Sequence, residues 1–359
     1  MEKIHRITVA LNTQNIFKQK FINEELIPQM KEFRKQNHNN KCFFHRTLEI
    51  GPVVDIYIQG LKEEAVLMQV AIEKRLAKFR KMYSIQFSEK KIYFENQESI
   101  RRMNGFSKKA GRYQNYTVTM DELEEVPREG EYYSEEAKKM VNSWLFEQGA
   151  LIDKTTLLVE KLSELEKQKF LVSLFLTCSK KLDGTSYRGY LSFKSHYLGF
   201  INIRRKEMEN YHNMFEQYYL EHEEEFELMR DRVREGQSFL TGHEQADELL
   251  HEWQNVIDQF MEGQKRLLKK IKLTNIFSML GFRRYSEFHK ESFKLSNLKF
   301  YFSEQFQEYR LLVNVMYLLL PDFGFNTPKR LLASYNLISV LEGEERLLLS
   351  LPRELSLQR

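Results

Sequence analysis

The sequence predicts an α/β protein of the α+β kind: an N-terminal mixed sheet with helices packed on it, then a helix-rich remainder. Three observations predict it. Strand-like and helix-like runs alternate up to about residue 105. From Ser134 onward the apolar residues recur at helical spacing. Glycine and proline are scarce, 15 and 6 in 359 residues, which argues against a turn-rich all-β chain.

The elements follow in order. Arg6–Leu11 reads as a strand. Phe17, Phe21, Ile22, Leu26, Met30 and Phe33 then mark a helix, with Pro28 inside the pattern, where it kinks or breaks a helix. A polar loop, Gln36–Lys41, leads to a strand at Cys42–Leu48, and a Gly51-Pro52 turn joins that to Val53–Gln59. Leu61, Ala65, Met68, Ile72, Leu76 and Phe79 mark a second helix. Further strand signals lie at Tyr83–Phe87 and Lys91–Phe94, and Gly105–Thr119 reads as a basic loop plus a strand. Ser134 followed by Glu135 and Glu136 opens a helix, a capping residue before acids that suit the helix dipole. The apolar run Phe170–Leu176 fits a buried helix segment or a core strand. Asn210–Lys272 is helical in pattern, and Leu249, Leu250, Trp253, Val256, Ile257, Phe260, Leu267, Leu268 and Ile271 form one stripe that faces the core. Glu223, Glu224 and Glu225 read as a solvated face. No repeat or clear linker interrupts the chain, so one compact body is expected.

Composition narrows the function. Charged residues make up 30% and the net charge is +4, with both signs interspersed; no basic stripe marks a nucleic-acid surface. Lys265, Arg266, Lys269 and Lys270 lie at a helix end, where they suit the dipole without a ligand. Cys42 and Cys178 sit in apolar runs and read as buried free thiols. The N-terminus lacks a signal-peptide pattern, and no run of about 18 apolar residues could span a membrane. The cytoplasm is the expected compartment. A phosphate loop, a nucleophile elbow and metal-ligand spacing are all missing from the sequence, so no cofactor or metal is expected from its motifs.

Several segments, taken in order, resemble the elimination-type C-terminal domain of lantibiotic dehydratases, whose stand-alone versions occur in thiopeptide biosynthesis. Phe43-Phe44-His45-Arg46-Thr47 followed by Ile50-Gly51-Pro52 resembles the family's aromatic strand ending in Arg and its Gly-Pro turn. Gly111-Arg112-Tyr113 is similar to its Glu-Arg-Tyr-Gly-Gly, and Leu191–His196 (LSFKSH) to its mid-chain Ser-His element. Tyr309–Arg330 resembles the segment that carries an Asn and a catalytic His in eliminases. The departures choose a branch. The strand Val53–Ile58 lacks the arginines that clamp the expelled glutamate, and the eliminase His is missing near Leu311 and Leu312, although Asn314 is kept.

The resemblance therefore implies a cofactor-independent pyridine synthase. Such an enzyme joins two dehydroalanines of a leader-bearing, thiazole-containing ribosomal peptide in a formal [4+2] aza-cycloaddition. Loss of water and of the leader then gives the pyridine and closes the macrocycle. It implies one catalytic domain over 1–359, with residues 1–105 an α/β half suited to leader binding and 106–359 a helix-rich half carrying the active-site pocket. The partners implied are the modified precursor peptide and other enzymes of the same pathway, with no nucleic acid and no membrane. Alternatives are a split glutamate eliminase, a non-catalytic leader-binding scaffold and a tRNA-dependent ligase.

Arg310, Asn314 and Tyr317 share one helix face among apolar neighbours. That face either lines a pocket or is a narrow solvent-facing stripe on a buried helix. Read with the resemblance, Tyr317 is the acid that hydrogen-bonds an amide oxygen while its ring stays buried. His196, beside Ser195, relays the amide proton, or is a structural histidine. Arg112 binds the substrate backbone or leader, or pairs with an acid of Asp121–Glu125, and Tyr113 is the weaker companion candidate.

Overall fold

In a computed structural model of the chain, the described residues are 3–343 except 12–14, 38, 48–52, 84–115, 127–134, 185–186, 204, 238–240, 266–285, 293, 295–297 and 302. The chain forms two compact units. Unit 1 takes Met1–Glu129, Lys138–Glu160 and Pro321–Gly324; unit 2 takes Gly130–Ala137, Lys161–Leu320 and Phe325–Arg359.

Unit 1 is built on strands β1 (Ile4–Ala10), β2 (Lys41–Thr47), β3 (Val53–Gln59) and β4 (Val118–Leu123). Their order is β2-β3-β1-β4. β1 and β2 run the same way, as a β-α-β pattern predicts, but β3 lies between them. Every hydrogen-bonded pair is consequently antiparallel, with Ile7 opposite Ile56 and Ile56 opposite Phe44. This is the split β-α-β arrangement, and it replaces the mixed pairing expected from element order. β3 is apolar at nearly every position because it is central: Val53 through Ile58 are all buried. On β2, Cys42 Sγ lies toward the Met30 carbonyl of one helix, while the next residue, Phe43, meets Phe146 of another edge-on at 5.0 Å. Alternate side chains thus feed opposite faces of the sheet.

The helix predicted around Pro28 is continuous but not uniform. It runs as α1 (Asn15–Phe21), a π turn at Ile22–Leu26, and α2 (Ile27–Gln36), with Pro28 in the first turn of α2. The widened turn takes up the lost N–H and the ring's bulk. α3 (Lys62–Met82) buries Ala65, Met68, Ile72, Leu76 and Phe79, as their spacing predicts. Tyr83, the first residue of the predicted strand Tyr83–Phe87, instead ends α3; the rest of that strand, Lys91–Phe94 and the Gly51-Pro52 turn lie outside the described residues.

Helix α4 (Glu135–Lys161) contributes Lys138–Glu160 to unit 1. It approaches β2 closely at Gly149, where a Cβ would fall 2.1 Å from the Cys42 carbonyl oxygen. The contact is pinned by Arg34. Its guanidinium donates to that same carbonyl oxygen at 2.9 Å and forms an ion pair with the fully buried Asp153.

Unit 2 is helical: α5 (Glu164–Lys180), α6 (Tyr190–Ile203), α7 (Arg205–Glu221), α8 (Glu223–Arg234), α9 (Glu244–Lys265), α10 (Glu287–Ser292), α11 (Leu298–Tyr301), α12 (Glu304–Leu319) and α13 (Thr327–Glu342). α5 starts at a capping box, in which Ser163 accepts from the Glu166 amide and the Glu166 carboxylate accepts from the Ser163 amide. The ambiguous apolar run is the middle of this helix, and every residue from Gln168 to Ser179 is buried. α9 lays Leu249, Leu250, Trp253, Ile257 and Phe260 against α5 and α12, the core-facing role expected. Glu223 and Glu224 are exposed, while Glu225 pairs with Lys169 at 2.7 Å. Both cysteines are buried free thiols, and burial pushes each pKa up to about 12. None of the described helices is long and apolar enough to cross a membrane.

Removing Arg34 leaves the Asp153 carboxylate buried without its cation. Arg34→Ala is expected to destabilise the protein by about 3–5 kcal/mol, whereas Arg34→Met with Asp153→Leu recovers most of the loss. Urea unfolding monitored by circular dichroism checks this; equal stability of Arg34→Ala and the parent would refute the assignment.

Candidate active site

Three helices of unit 2 build the site. α6 is set in place by Gly189, just ahead of it. The Gly189 carbonyl accepts from the Tyr309 hydroxyl at 2.6 Å, and its amide donates to the Ser179 carbonyl at 3.3 Å. A Cβ there would lie 2.5 Å from the Ser179 oxygen and 2.7 Å from the Tyr309 hydroxyl, so only glycine lets α6 start so close to α5 and α12. α12 is capped by Ser303, which accepts from the Phe306 amide. α13 is capped by Asn326, which accepts from the Lys329 amide, with Pro328 in its first turn.

On α12 the polar stripe is where the spacing puts it. Arg310, Asn314 and Tyr317 are half-buried, while Leu311, Leu312, Val313, Val315 and Met316 are buried. Tyr317 lies against an aromatic floor. Phe175 and Phe193 stack on each other at 4.2 Å, and Tyr317 meets them edge-on at 6.0 and 5.7 Å. The His196 ring is 4.9 Å from the Tyr317 ring, inclined at 35°. The Arg330 guanidinium sits over the Tyr317 ring at 4.8 Å, a cation–π contact. The Tyr317 hydroxyl is buried and makes no close hydrogen bond among the described residues. Ser334 is its polar neighbour; the Ser334 hydroxyl donates to the Arg330 carbonyl at 3.1 Å and keeps lone pairs that can accept from Tyr317. An unpaired buried hydroxyl costs about 1–3 kcal/mol.

His196 is exposed to solvent by area, yet protein surrounds it closely enough to desolvate it. The ring packs on that of Tyr317 and meets solvent elsewhere. Burial lowers its pKa to about 3, and the charges of Arg330 and Arg310 push the same way. Water reaching the ring moderates the shift without changing its direction. Burial raises the Tyr317 pKa, opposed by Arg330, and burial lowers that of Arg330, opposed by Tyr317. At neutral pH the site therefore offers a protonated phenol, a neutral imidazole and two guanidinium cations. These can hydrogen-bond an amide oxygen, stabilise negative charge developing on it and carry a proton.

Of the residues picked from the sequence, Tyr317, His196 and Arg310 come together, and Ser195 adjoins them. Asn314 shares their helix face. Arg112 and Tyr113 lie outside the described residues. Two participants were missed. Arg330 stands at the end of the Tyr309–Arg330 segment, and the Asn326-Thr327-Pro328 helix-start signal could have placed it in the first turn of α13. His289 has only a Ser286 capping residue to mark it.

A groove of about 590 Å³ belongs to unit 1, lined by Glu73, Leu76, Arg80, Tyr116, Thr117 and Val118 among others. Unit 1 also holds a cationic cluster. Asp322 accepts from the Arg46 amide at 2.7 Å and lies 3.0 Å from His45 Nδ1, and Arg46 donates to Gln19 at 2.5 Å. Burial lowers the pKa of Arg46 to about 10 and that of Lys18 to about 7.

Solved structures identify the architecture. TbtD, described as a pyridine synthase from thiomuracin biosynthesis, superposes with a TM-score of 0.64 over 94% of this chain and 97% of its own, at 16% identity. The chain has the fold of a pyridine synthase. TsrL matches with a TM-score of 0.63 over 98% of this chain and 97% of its own, at 14% identity. The tRNA-dependent lantibiotic dehydratase MibB from Microbispora sp. 107891 aligns over 94% of this chain and 28% of its own at 8% identity, with a TM-score of 0.45. No family model and no curated protein sequence matches the chain.

The electrostatics are testable. His196 is expected to stay neutral well below the ordinary histidine range. The unfolded chain binds the His196 proton more readily than the folded one, so this residue's contribution makes the fold less stable as pH falls through 6.5. Imidazole NMR titration checks this; a His196 signal that titrates near pH 6.5 would overturn the desolvated site.

Proposed function

We propose that this protein is a pyridine synthase acting on a leader-bearing peptide that carries thiazoles and two dehydroalanines. The observation that carries the reading is the meeting of Tyr317, His196 and Arg330 on an aromatic floor, inside the fold that TbtD shares. The reaction needs one amide to become its iminol tautomer, which turns the adjoining dehydroalanine into a 2-azadiene. The second dehydroalanine adds across it. Water leaves, then the leader departs as an amide, and the ring becomes aromatic. The sequence is balanced in electrons, so it calls for no oxidant.

Each residue has a role in that sequence. Tyr317 donates a hydrogen bond to the amide oxygen. Neutral His196 accepts or relays the amide proton. Arg330 and Arg310 stabilise charge that develops on oxygen, and Asn314 adds a hydrogen bond to the peptide. Much of the rate comes from holding two distant dehydroalanines together, and unit 1 is the natural place to grip the leader. A second reading, a glutamate eliminase, rests on the buried cations Arg46 and Lys18, which suit a carboxylate.

Mass spectrometry separates the two. Incubation with a leader-bearing bis-dehydroalanine thiazolyl peptide is expected to give loss of water together with the leader; loss of glutamate from a glutamylated peptide would instead establish the eliminase. Tyr317→Phe should fold normally and slow cyclisation roughly 10²–10⁴-fold. Wild-type turnover by a well-folded Tyr317→Phe protein would remove Tyr317 from the mechanism.

A further inference from the structure

Beside this site lies a group that the reading above does not use. His289, on α10, is fully buried. Its Nε2 is 3.0 Å from the hydroxyl of Ser195 on α6, and its Nδ1 is 2.6 Å from the hydroxyl of Ser286. Ser286 also accepts from the His289 backbone amide at 3.3 Å, so the residue that caps α10 fixes the ring as well. Ser195 is half-buried and next in sequence to His196. His289 is close enough to His196 for its charge to bear on that ring. A hydroxyl joined to an imidazole, itself oriented by a third group, is the arrangement by which a serine proton is made mobile.

We propose that His289 is a positioning residue that makes Ser195 the proton relay of the site, with Nδ1–H donating to Ser286 and a bare Nε2 accepting from the Ser195 hydroxyl. The proposal rests on the pyridine-synthase reading for its substrate. As the substrate amide N–H loses its proton to Ser195 Oγ, directly or through His196, the proton already on Oγ passes to His289 Nε2. The return path delivers one proton through Ser195 to the amide oxygen, so the amide becomes its iminol and both residues end as they began. One N–H bond is exchanged for one O–H bond, and no atom or electron is gained. Burial lowers the His289 pKa, opposed by a hydrogen bond to the Ser195 backbone. Being fully buried and hydrogen-bonded to Ser195, His289 acts only through it.

Two measurements decide this. His289→Gln keeps an acceptor for the Ser195 hydroxyl but cannot take its proton. With the bis-dehydroalanine thiazolyl peptide, kcat is expected to fall roughly 10²–10⁴-fold with KM little changed. Ser195→Ala should fall similarly, and the double variant no further. A wild-type kcat in folded His289→Gln, or fully additive losses in the double variant, would overturn the relay. The second measurement is independent of turnover and of whether the variant folds. Nitrogen-15 NMR of the wild-type protein is expected to show His289 protonated at Nδ1 and bare at Nε2. The opposite tautomer would overturn the proposal even if the peptide is cyclised. If the wild-type protein leaves the peptide unchanged, the parent reading fails, and the tautomer alone then supports or refutes the Ser195–His289 couple.

Discussion

The burial of α5 on every side is the constraint around which unit 2 is arranged. A helix with no solvent face must present apolar surface all round, and its few polar side chains must find partners within reach. Thr177 and Ser179 do so by donating to carbonyls one turn back, those of Ser173 and Phe175. α6, α9, α12 and α13 all pack on this axle. The site inherits its rigidity from it: Phe175 belongs to α5, and it is Phe175, stacked on Phe193, that supports the Tyr317 ring. Moving α5 would move the floor of the site.

Unit 1 solves a different problem, that of a central strand with a charge inside. Asp55 lies in fully buried β3 and is held by the Thr8 hydroxyl at 2.6 Å. Burial raises its pKa, and Arg6 and His45 resist the rise. The neighbouring turn Pro321–Gly324 puts a second buried carboxylate, Asp322, against His45 and the Arg46 amide, while the Thr156 hydroxyl donates to the Asp322 carbonyl at 3.2 Å. This turn reaches unit 1 from far along the chain, with Gly324 at φ +91° closing it. Thr8 and Asp55, and His45 and Asp322, are thus satisfied by one another in place of water.

The sequence was legible wherever burial imposes a period. The faces of α3 and α9, the strands β1 to β3 and the half-buried stripe of α12 all follow from spacing, because each element must hide one side. Strand pairing was less legible. Nothing in the period of β1 or β2 says that β3 will insert between them, since pairing is decided by the whole sheet. The site divides along the same line. Tyr317 and Arg310 stand out as polar residues in an apolar helix, and His196 beside Ser195 through the resemblance. Arg330 and His289 do not stand out, because what makes them matter is proximity between helices remote in sequence: Arg330 lies over a ring thirteen positions earlier, and His289 faces a serine 94 positions away.

The opposing demands on the site explain its composition. Desolvation strengthens each hydrogen bond offered to a substrate but drives titratable groups toward neutrality. A lysine in such a place readily gives up its proton, whereas a guanidinium keeps its charge. Arg330 and Arg310 can therefore stay cationic beside a phenol and an imidazole that are held neutral. Their charge makes protonation of His196 unfavourable, which suits it to receive a proton only while handing it on. A proton passing through the site needs somewhere less opposed by those cations, and the His289 ring lies one hydroxyl further in. The same cations that suppress charge on His196 would favour the anionic oxygen of a tautomerising amide. One arrangement of charge thus disfavours the resting cation and favours the transient anion, which is the selectivity that transition-state stabilisation requires.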